Sequence, residues 1–250
     1  MLMMAALLTS GAAFFLPLDN TRQGDKTVAV NTYHFSTGLS GLDRILRGVL
    51  PGDNVVWQID SIEDYQALVT PYIKAALDTS QNIVYFHFSD HAPLVPEGTA
   101  VRTYTFRPDE GFETFVGNIH KAIADAGRGA YYVFDCISEL ADCWYSDQML
   151  GNFFNLTCPY LFDLETLAYF ALFRNHHSAR AIDPITETTQ LFLDVYRHKD
   201  YYVRPLKVQH RYSTTMNMLH RWEESDSFST VSDSVIIADI LTSAKWSGLH

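Results

Sequence analysis

The 250-residue chain carries 29 acidic side chains against 18 Lys and Arg, which gives a formal net charge of −11 at pH 7. So acidic a chain repels phosphate backbones, which argues against nucleic acid as a partner. The length and the 47% share of hydrophobic residues exclude a disordered chain and predict one globular domain with a sizeable core. The three cysteines, none in a Cys-x-x-Cys pair, predict reduced intracellular thiols rather than a disulfide framework or a zinc site.

Residues 1–18 are almost entirely apolar and residues 19–31 are polar, so we predict a leader and linker over residues 1–32. The apolar run differs from a signal peptide because no basic residue precedes it, the first being Arg22. Pro17 and two small residues interrupt it, and a membrane span needs about 20 apolar residues. The sequence therefore predicts a cytoplasmic protein with no membrane contact, and export is the alternative.

The first half of the domain alternates short apolar runs with segments of helical spacing. A helix is predicted over residues 39–46 and a buried strand over residues 55–59. Ser61-x-x-Asp64 resembles a capping box and opens a helix that Pro71 is expected to kink or split. A second strand is predicted over residues 83–88, an amphipathic helix over residues 112–126 and a third buried strand over residues 131–134.

The second half begins with a helix predicted over residues 138–154, followed by a helix that passes into a strand over residues 168–173. Residues 189–196 and 201–211 alternate around a turn and predict a β-hairpin. Residues 223–250 are predicted as an acidic, Ser-rich tail with a short helix over residues 238–242. Together these elements predict an α/β domain over residues 33–222, with a mostly parallel central sheet, flanking helices and a C-terminal antiparallel hairpin.

The domain opens with the motif STGLSGLD at residues 36–43, followed by Gly48 and Pro51-Gly52. This pattern resembles the opening segment of KaiC and RecA-type ATPases. The resemblance implies a RecA/KaiC-like P-loop NTPase fold with a phosphate loop after the first strand. It also implies a Walker B aspartate at Asp135, a catalytic carboxylate at Asp90, and an arginine, Arg211, that reaches a neighbouring subunit's site.

Longer stretches, among them GRGAYYVFDCISEL and TCPYLFDLETLAYF, are similar to a domain of some phosphoenolpyruvate synthase or pyruvate, phosphate dikinase-like proteins. In those proteins it precedes the catalytic domains. The resemblance implies such catalytic domains as partners, in cis or in trans, and the KaiC-like family also implies a homo-oligomer.

The segment where the resemblance expects the phosphate loop, residues 58–66, has no glycine and no lysine. Tyr65 stands about where the lysine would be, and Gln66 where the Ser or Thr would be. Asp60, Glu63 and Asp64 surround Ser61 at the start of the helix, so they would occupy the anion site themselves. Each close like-charge contact with a triphosphate costs about 1–4 kcal/mol. We therefore expect a degenerate Walker A cleft formed by these four residues and Arg211, with no cofactor, and ATP with Mg²⁺ is disfavoured.

Two pairs of histidines lie at the ends of predicted strands: His87 with His91, and His176 with His177. If both pairs meet Asp135 at one edge of the sheet, they form a metal or acid–base site. The alternative is hydrogen-bonded loop histidines with no such role.

These observations lead to a first hypothesis, a non-hydrolysing regulatory or assembly domain that works with phosphoenolpyruvate synthase-like proteins. The alternative is an ATP-binding enzyme, an ATPase or a phosphotransferase, that uses a non-standard phosphate loop. In that enzyme Asp90 acts as a base and Asp135 holds Mg²⁺ through water. The sequence leaves open whether the chain is an enzyme.

Overall fold

A nine-stranded sheet forms the centre of the computed structural model, which describes residues 34–223 and 226–246, without the side chains of residues 245 and 246. The described residues belong to one unit that runs from Tyr33 to His250. The predicted leader and linker over residues 1–32 lie outside the described residues, as do residues 224–225 and 247–250 of the predicted tail.

Six parallel strands make up one side of the sheet, in the order β3-β2-β4-β5-β1-β6. Five of them are mostly buried apolar segments, whereas β3 is a largely exposed edge strand. Their bounds are β1 Asn54–Ile59, β2 Ile83–His87, β3 Arg102–Thr105, β4 Tyr131–Cys136, β5 Leu167–Phe173 and β6 Leu191–His198.

Three antiparallel strands extend the sheet beyond β6: β7 Asp200–Val208, β8 His220–Trp222 and β9 Phe228–Thr230. Lys199 makes the tight turn between β6 and β7 with a left-handed backbone, φ 64°. The predicted hairpin is therefore confirmed, and the predicted tail adds a strand to the sheet.

Helices cover both faces of the sheet, and successive residues of a strand pack alternately against the helices of one face and of the other. In β1, Val55 and Trp57 pack against the layer of α1 and α2, while Val56 packs against the layer of α3, α4, α5 and α6. The helices are α1 Ser40–Leu46, α2 Ile62–Asp78, α3 Phe112–Ala126, α4 Ser138–Trp144, α5 Gln148–Asp163, α6 Ala179–Thr188 and α7 Ser234–Trp246. Among the described helices, none has the length and apolar character that crossing a membrane requires.

The predicted α/β class is confirmed, with a mostly parallel sheet, flanking helices and a C-terminal antiparallel hairpin. The helix predicted over residues 138–154 is instead two helices, because the chain turns at Tyr145 with a left-handed backbone, φ 52°. The second of them continues to Asp163, and the separate helix expected between it and β5 is instead a short turn in which Glu165 has a left-handed backbone, φ 52°. Helix α2 contains Pro71 but is not split.

The motif at residues 36–43 folds into a closed turn around Asp43. Its carboxylate accepts hydrogen bonds from Ser36 Oγ at 2.6 Å, Thr37 N at 2.9 Å and Thr37 Oγ1 at 2.7 Å. Gly38, with φ 81°, lies so close to α2 that a Cβ there would stand 2.1 Å from the carbonyl oxygen of Pro71. The motif therefore fixes the start of the domain onto α2.

Helix α7 packs against the antiparallel side of the sheet. Its Ile240 and Ala244 are buried in a small cluster with Tyr196, Tyr202 and Leu219. The helix predicted over residues 238–242 is thus the centre of a longer one, which places the end of the described chain next to the carboxyl end of β6.

Candidate functional site

At the carboxyl end of β1, the connections between successive strands change from one face of the sheet to the other. The connection after β1 runs through α2 on one face, whereas the connection from β5 to β6 runs through α6 on the other. In open α/β sheets, ligands bind in the crevice that such a reversal leaves at the carboxyl ends of the strands. Asp60 and Ser61, the residues between β1 and α2, lie there.

Arg174 reaches Asp60 at the crevice from within the chain, beside a cavity of about 270 Å³ that Asp60, Ser61, Asp64 and Arg197 line. It follows β5 directly, and its guanidinium contacts Asp60 Oδ1 at 2.9 Å and Asp194 Oδ1 at 2.7 Å. The same group donates to the carbonyl oxygen of Val195 at 2.6 Å and lies 4.1 Å from the ring centre of Tyr196. Only 8% of the Arg174 side chain is exposed, so this cation joins the ends of β1 and β5 to the middle of β6.

The charge of this network is balanced internally. Burial lowers the pKa of Arg174, but Asp194, Tyr196 and Asp60 raise it by more, so the net pKa lies above its ordinary value. The guanidinium stays protonated and neutralises two carboxylates. A phosphate that entered the crevice would have to compete with Asp60 and Asp194 for the same donors.

The start of α2, just beyond the crevice, is occupied by its own side chains. Asp64 is 2% exposed and accepts the backbone N–H of Ser61 at 3.1 Å, as the capping pattern predicted. Burial raises the pKa of Asp64, although hydrogen bonds from Ser61 and the charge of Arg197 oppose the shift. The neighbouring Glu63 is exposed at the same helix start, and hydrogen bonds from its own backbone N–H and from Ser61 lower its pKa.

The two positions that correspond to the phosphate-loop lysine and hydroxyl also serve internal contacts. Tyr65 is fully buried, and its hydroxyl donates to the carbonyl oxygen of Phe134 at 3.0 Å. The side-chain amide of Gln66 donates to the carbonyl oxygen of Leu94 at 2.8 Å. Tyr65 is therefore not available to a ligand in the crevice, whereas Gln66 is exposed and makes this internal hydrogen bond.

Asp135 lies at the end of β4, next to the end of β2, and accepts four hydrogen bonds in a fully buried position. The donors are His87 Nδ1 at 2.7 Å, the backbone N–H groups of Phe88 at 2.8 Å and Ser89 at 3.1 Å, and the hydroxyl of Tyr85. Burial raises the pKa of Tyr85, and the neighbouring carboxylate raises it further, so the phenol keeps its proton. The arrangement holds His87 with its Nδ1 toward the carboxylate.

His91 adds a second imidazole to this cluster, with its Nε2 3.8 Å from Asp135 Oδ1 and its Nδ1 2.7 Å from the carbonyl oxygen of Ala92. Asp90 is exposed and lines a neighbouring cavity of about 440 Å³ with Glu139 and Asp142. Burial raises the pKa of Glu139, an effect that a hydrogen bond from Ser89 reduces. The structure thus brings His87, His91 and Asp135 together and leaves Asp90 at the rim.

The other predicted histidines lie elsewhere. His176 and His177 pack against each other on the loop after β5, with their ring centres 5.3 Å apart. Since β4 separates β5 from β2 in the sheet, the two histidine pairs start about 10 Å apart. Within the described part of the chain, no group of three or more His, Cys, Asp or Glu side chains is arranged to hold a metal ion. The expected convergence of the two pairs with Asp135 is not observed.

Arg211, expected at the degenerate cleft, lies at the other end of the sheet. It forms an ion pair with Asp53 at 2.8 Å, and only 7% of its side chain is exposed. Asp53 precedes β1, so the six residues of the strand, about 20 Å, separate this pair from Asp60. The hairpin of β6 and β7 explains the position of Arg211, because β7 runs antiparallel to β6 and returns the chain to the amino ends of the parallel strands.

Arg174 and Asp194 are the residues that sequence reasoning missed. Their signals were an arginine directly after an apolar strand and an aspartate inside the apolar run Leu191–His198. A charged side chain in a buried strand requires a partner, and Arg174 is 20 residues from Asp194 and 114 from Asp60 along the chain. A comparison with protein-family models and with curated proteins finds no match for this chain.

Proposed function

We propose that this chain is a regulatory or assembly module on a nucleotide-binding type of α/β fold that does not bind or hydrolyse nucleoside triphosphates. On its resemblance to a domain of phosphoenolpyruvate synthase and pyruvate, phosphate dikinase-like proteins, the module acts on such catalytic domains, in cis or in trans. The finer assignment of the sheet to the RecA/KaiC-like P-loop fold is part of this proposal. It rests on the motif at residues 36–43 and on the position of Asp135 at the end of β4.

The observation that carries the proposal is the internal guanidinium of Arg174 at the carboxyl end of β1. In a phosphate-binding relative, backbone N–H groups and a lysine meet the phosphates at this point. Here Arg174 is held by Asp60 and Asp194, and the helix start is capped by Asp64. The crevice therefore has a structural role, joining three strands, in which Arg174 is not free to bind a triphosphate. The other arginine that lines it, Arg197, pairs with Asp64 at 3.8 Å.

The contacts of Asp135 count against the alternative of an ATP-using enzyme. A carboxylate that accepts four hydrogen bonds in a fully buried position has little capacity left to hold the water shell of Mg²⁺. Asp90, the other carboxylate of that hypothesis, is exposed at the rim of the neighbouring cavity. The two side chains therefore do not form a joint centre around a phosphate.

Calorimetric titration with Mg-ATP and its non-hydrolysable analogues tests the proposal directly. We expect no saturable heat at millimolar nucleotide, and phosphate release no faster than in buffer. The matched variant Asp135→Ala controls for contaminating enzymes. Turnover by the wild-type chain that this variant abolishes would refute the proposal in favour of the enzyme.

The partner is tested separately by adding the purified chain to a phosphoenolpyruvate synthase-like catalytic protein. We expect a stoichiometric complex in analytical ultracentrifugation and a change in the catalytic rate of the partner. An unchanged rate together with the absence of a complex would reject the assignment of the partner.

A further inference from the structure

The last described helix, α7, forms one wall of the cavity at the crevice. This cavity of about 270 Å³ lies between the start of α2, strand β6 and α7. Asp60 and Ser61 line it on one side, and Ile240, Ser243 and Ala244 of α7 line it on another. The position of α7 therefore decides how open the crevice is on this side.

A small apolar contact holds α7 in this position. Among the described side chains of the helix, only Ile240 and Ala244 are buried, and they stand four residues apart on one stripe. They pack against Tyr196, Tyr202 and Leu219 in a cluster that is separate from the two large clusters flanking the sheet. A segment that buries so little apolar surface can open while the rest of the fold stays intact.

An exposed ion pair adds little to this contact. His198 Nε2, at the end of β6, lies 3.2 Å from Asp239 Oδ2 of α7, and 31% and 65% of the two side chains are exposed. Water and salt screen such a pair, so its contribution to stability is small. The apolar cluster therefore remains the main attachment of α7.

The hydrogen bonds at the start of α7 come from its own segment. Asp233 Oδ1 accepts the backbone N–H groups of Val235 at 2.8 Å and Ile236 at 3.2 Å. The carbonyl oxygen of Asp233 accepts the N–H of Ile237 at 3.0 Å. These bonds move with the helix, so detachment of α7 from the sheet does not leave its first turn without partners.

Tyr196 connects α7 to the guanidinium network of the crevice. Its ring belongs to the cluster with Ile240 and Ala244, and the same ring lies 4.1 Å from the guanidinium of Arg174. Its hydroxyl donates to Asp194 Oδ2 at 2.8 Å. Because Tyr196 is only 5% exposed, removal of α7 would let water reach this ring and the edge of the network behind it.

We propose that α7 is a lid on the crevice, which detaches and returns as one unit while the sheet stays folded. In the closed state α7 shields Tyr196 and the network of Arg174, and in the open state both become accessible to solvent and to ligands. The proposal goes beyond the module function and does not depend on it, because opening is measured without any nucleotide.

Amide hydrogen exchange of the full chain, followed by NMR, measures the opening of the lid. The protection of an amide reports the free energy of the opening that exposes it. We expect the amides of residues 238–244 to be at least about a hundredfold less protected than those of β1 and β5, whose exchange should require global unfolding.

A buried and an exposed position of α7 provide a matched pair of variants. Ile240→Ala removes the centre of the apolar contact and should lower the protection of α7 at least about 30-fold, with the protection of β1 and β5 unchanged. Val235→Ala is the control, because 75% of Val235 is exposed, and it should change the protection of α7 by less than about threefold. Circular dichroism of each variant verifies that it is folded.

The Nε proton of Arg174 reports whether the lid controls the crevice. Ile240→Ala should accelerate the exchange of this proton with water at least about tenfold, because Tyr196 then loses its cover more often. Val235→Ala should leave the rate within about threefold of the wild type.

Three results would overturn the proposal. One is protection of α7 in the wild type equal to that of β1 and β5, which would mean that the helix opens only with the whole fold. Another is an Ile240→Ala variant in which β1 and β5 lose as much protection as α7. The third is an unchanged exchange rate at Arg174 in that variant, which would show that α7 does not control the crevice. Binding of Mg-ATP, the result that would refute the module function, decides none of these three.

Discussion

Replacement of Arg174 by methionine should destabilise the protein by more than the loss of any exposed ion pair. The substitution removes the cation that faces Asp194, whose side chain is only 5% exposed, and leaves that carboxylate buried without a counter-charge, with the hydroxyl of Tyr196 at 2.8 Å as its remaining donor. Breaking a buried ion pair from one side costs about 3–5 kcal/mol. Asp60, with 20% of its side chain exposed, can regain water more easily, so most of the cost arises at Asp194.

The assay is urea-induced unfolding followed by circular dichroism, with the free energy of unfolding extrapolated to water. Arg221→Ala is the matched control, because Arg221 pairs with Asp200 at 2.7 Å while 49% and 39% of the two side chains are exposed. That variant should lose less than about 1 kcal/mol. Adding Asp194→Asn to Arg174→Met should recover about 1–3 kcal/mol, since an amide replaces the unpaired charge. A loss in Arg174→Met no larger than in the control would refute the structural role assigned to the crevice.

Three further predictions concern the packing and titration of other groups. Gly38→Ala should destabilise the protein by at least about 1–2 kcal/mol in the same unfolding assay, because φ is 81° and the new Cβ would meet the carbonyl of Pro71. Gly117→Ala in α3 is the matched comparison, since a Cβ there has open space, and it should stabilise the protein by up to about 1 kcal/mol. When the folded protein is treated with a thiol reagent and analysed by mass spectrometry, Cys143 should be modified first, because it is exposed. Burial raises the pKa of Cys136 to about 12 and shields the thiol of Cys158 from the reagent. Equal rates of modification at the three cysteines would contradict this. Burial lowers the pKa of three imidazoles, those of His120, His177 and His220. As the pH falls, the unfolded chain therefore binds protons at these residues before the folded protein does, so the free energy of unfolding should fall below about pH 6.5. The dependence of this free energy on pH should be weaker in a His120→Gln variant.

The parts of the fold that the sequence predicts are those set by local pattern. The apolar runs that became β1, β2, β4 and β5 are short and β-branched or aromatic, and each is buried from both faces. The capping pattern of Ser61 and Asp64 also formed as expected, because both residues lie within one helical turn. Such features need no information about distant segments.

The elements that were missed lack that local pattern. Strand β3 has the sequence RTYT with three of its four residues exposed, so no apolar run marks it. Helix α6 contains Pro184 and has only two buried residues, Ala181 and Ile185, so its apolar face is too short to mark a helix although the two stand at helical spacing. The break between α4 and α5 occurs at Tyr145, in a segment without Gly or Pro, so it could not be read from turn residues.

The candidate site likewise has features that a local sequence pattern indicates and features that depend on distant segments. The absence of glycine and lysine, on which the expectation of a degenerate phosphate loop rests, could be read from residues 58–66 alone. The pairing of Arg174 with Asp60 and Asp194 could not, since it depends on β1 lying between β5 and β6 in the sheet. Arg211 was assigned to the wrong end of β1 for the same reason, because the direction of β7 decides where that arginine lies.

The most direct test of the central claim is an amide NMR titration of the chain with Mg-ATP, read at the residues that surround the crevice. The account predicts that the amide resonances of Ser61, Glu63 and Gln66, and the guanidinium resonance of Arg174, stay unchanged up to millimolar nucleotide. Saturable, Mg²⁺-dependent shifts at these positions, with Arg174 released from Asp60, would contradict it.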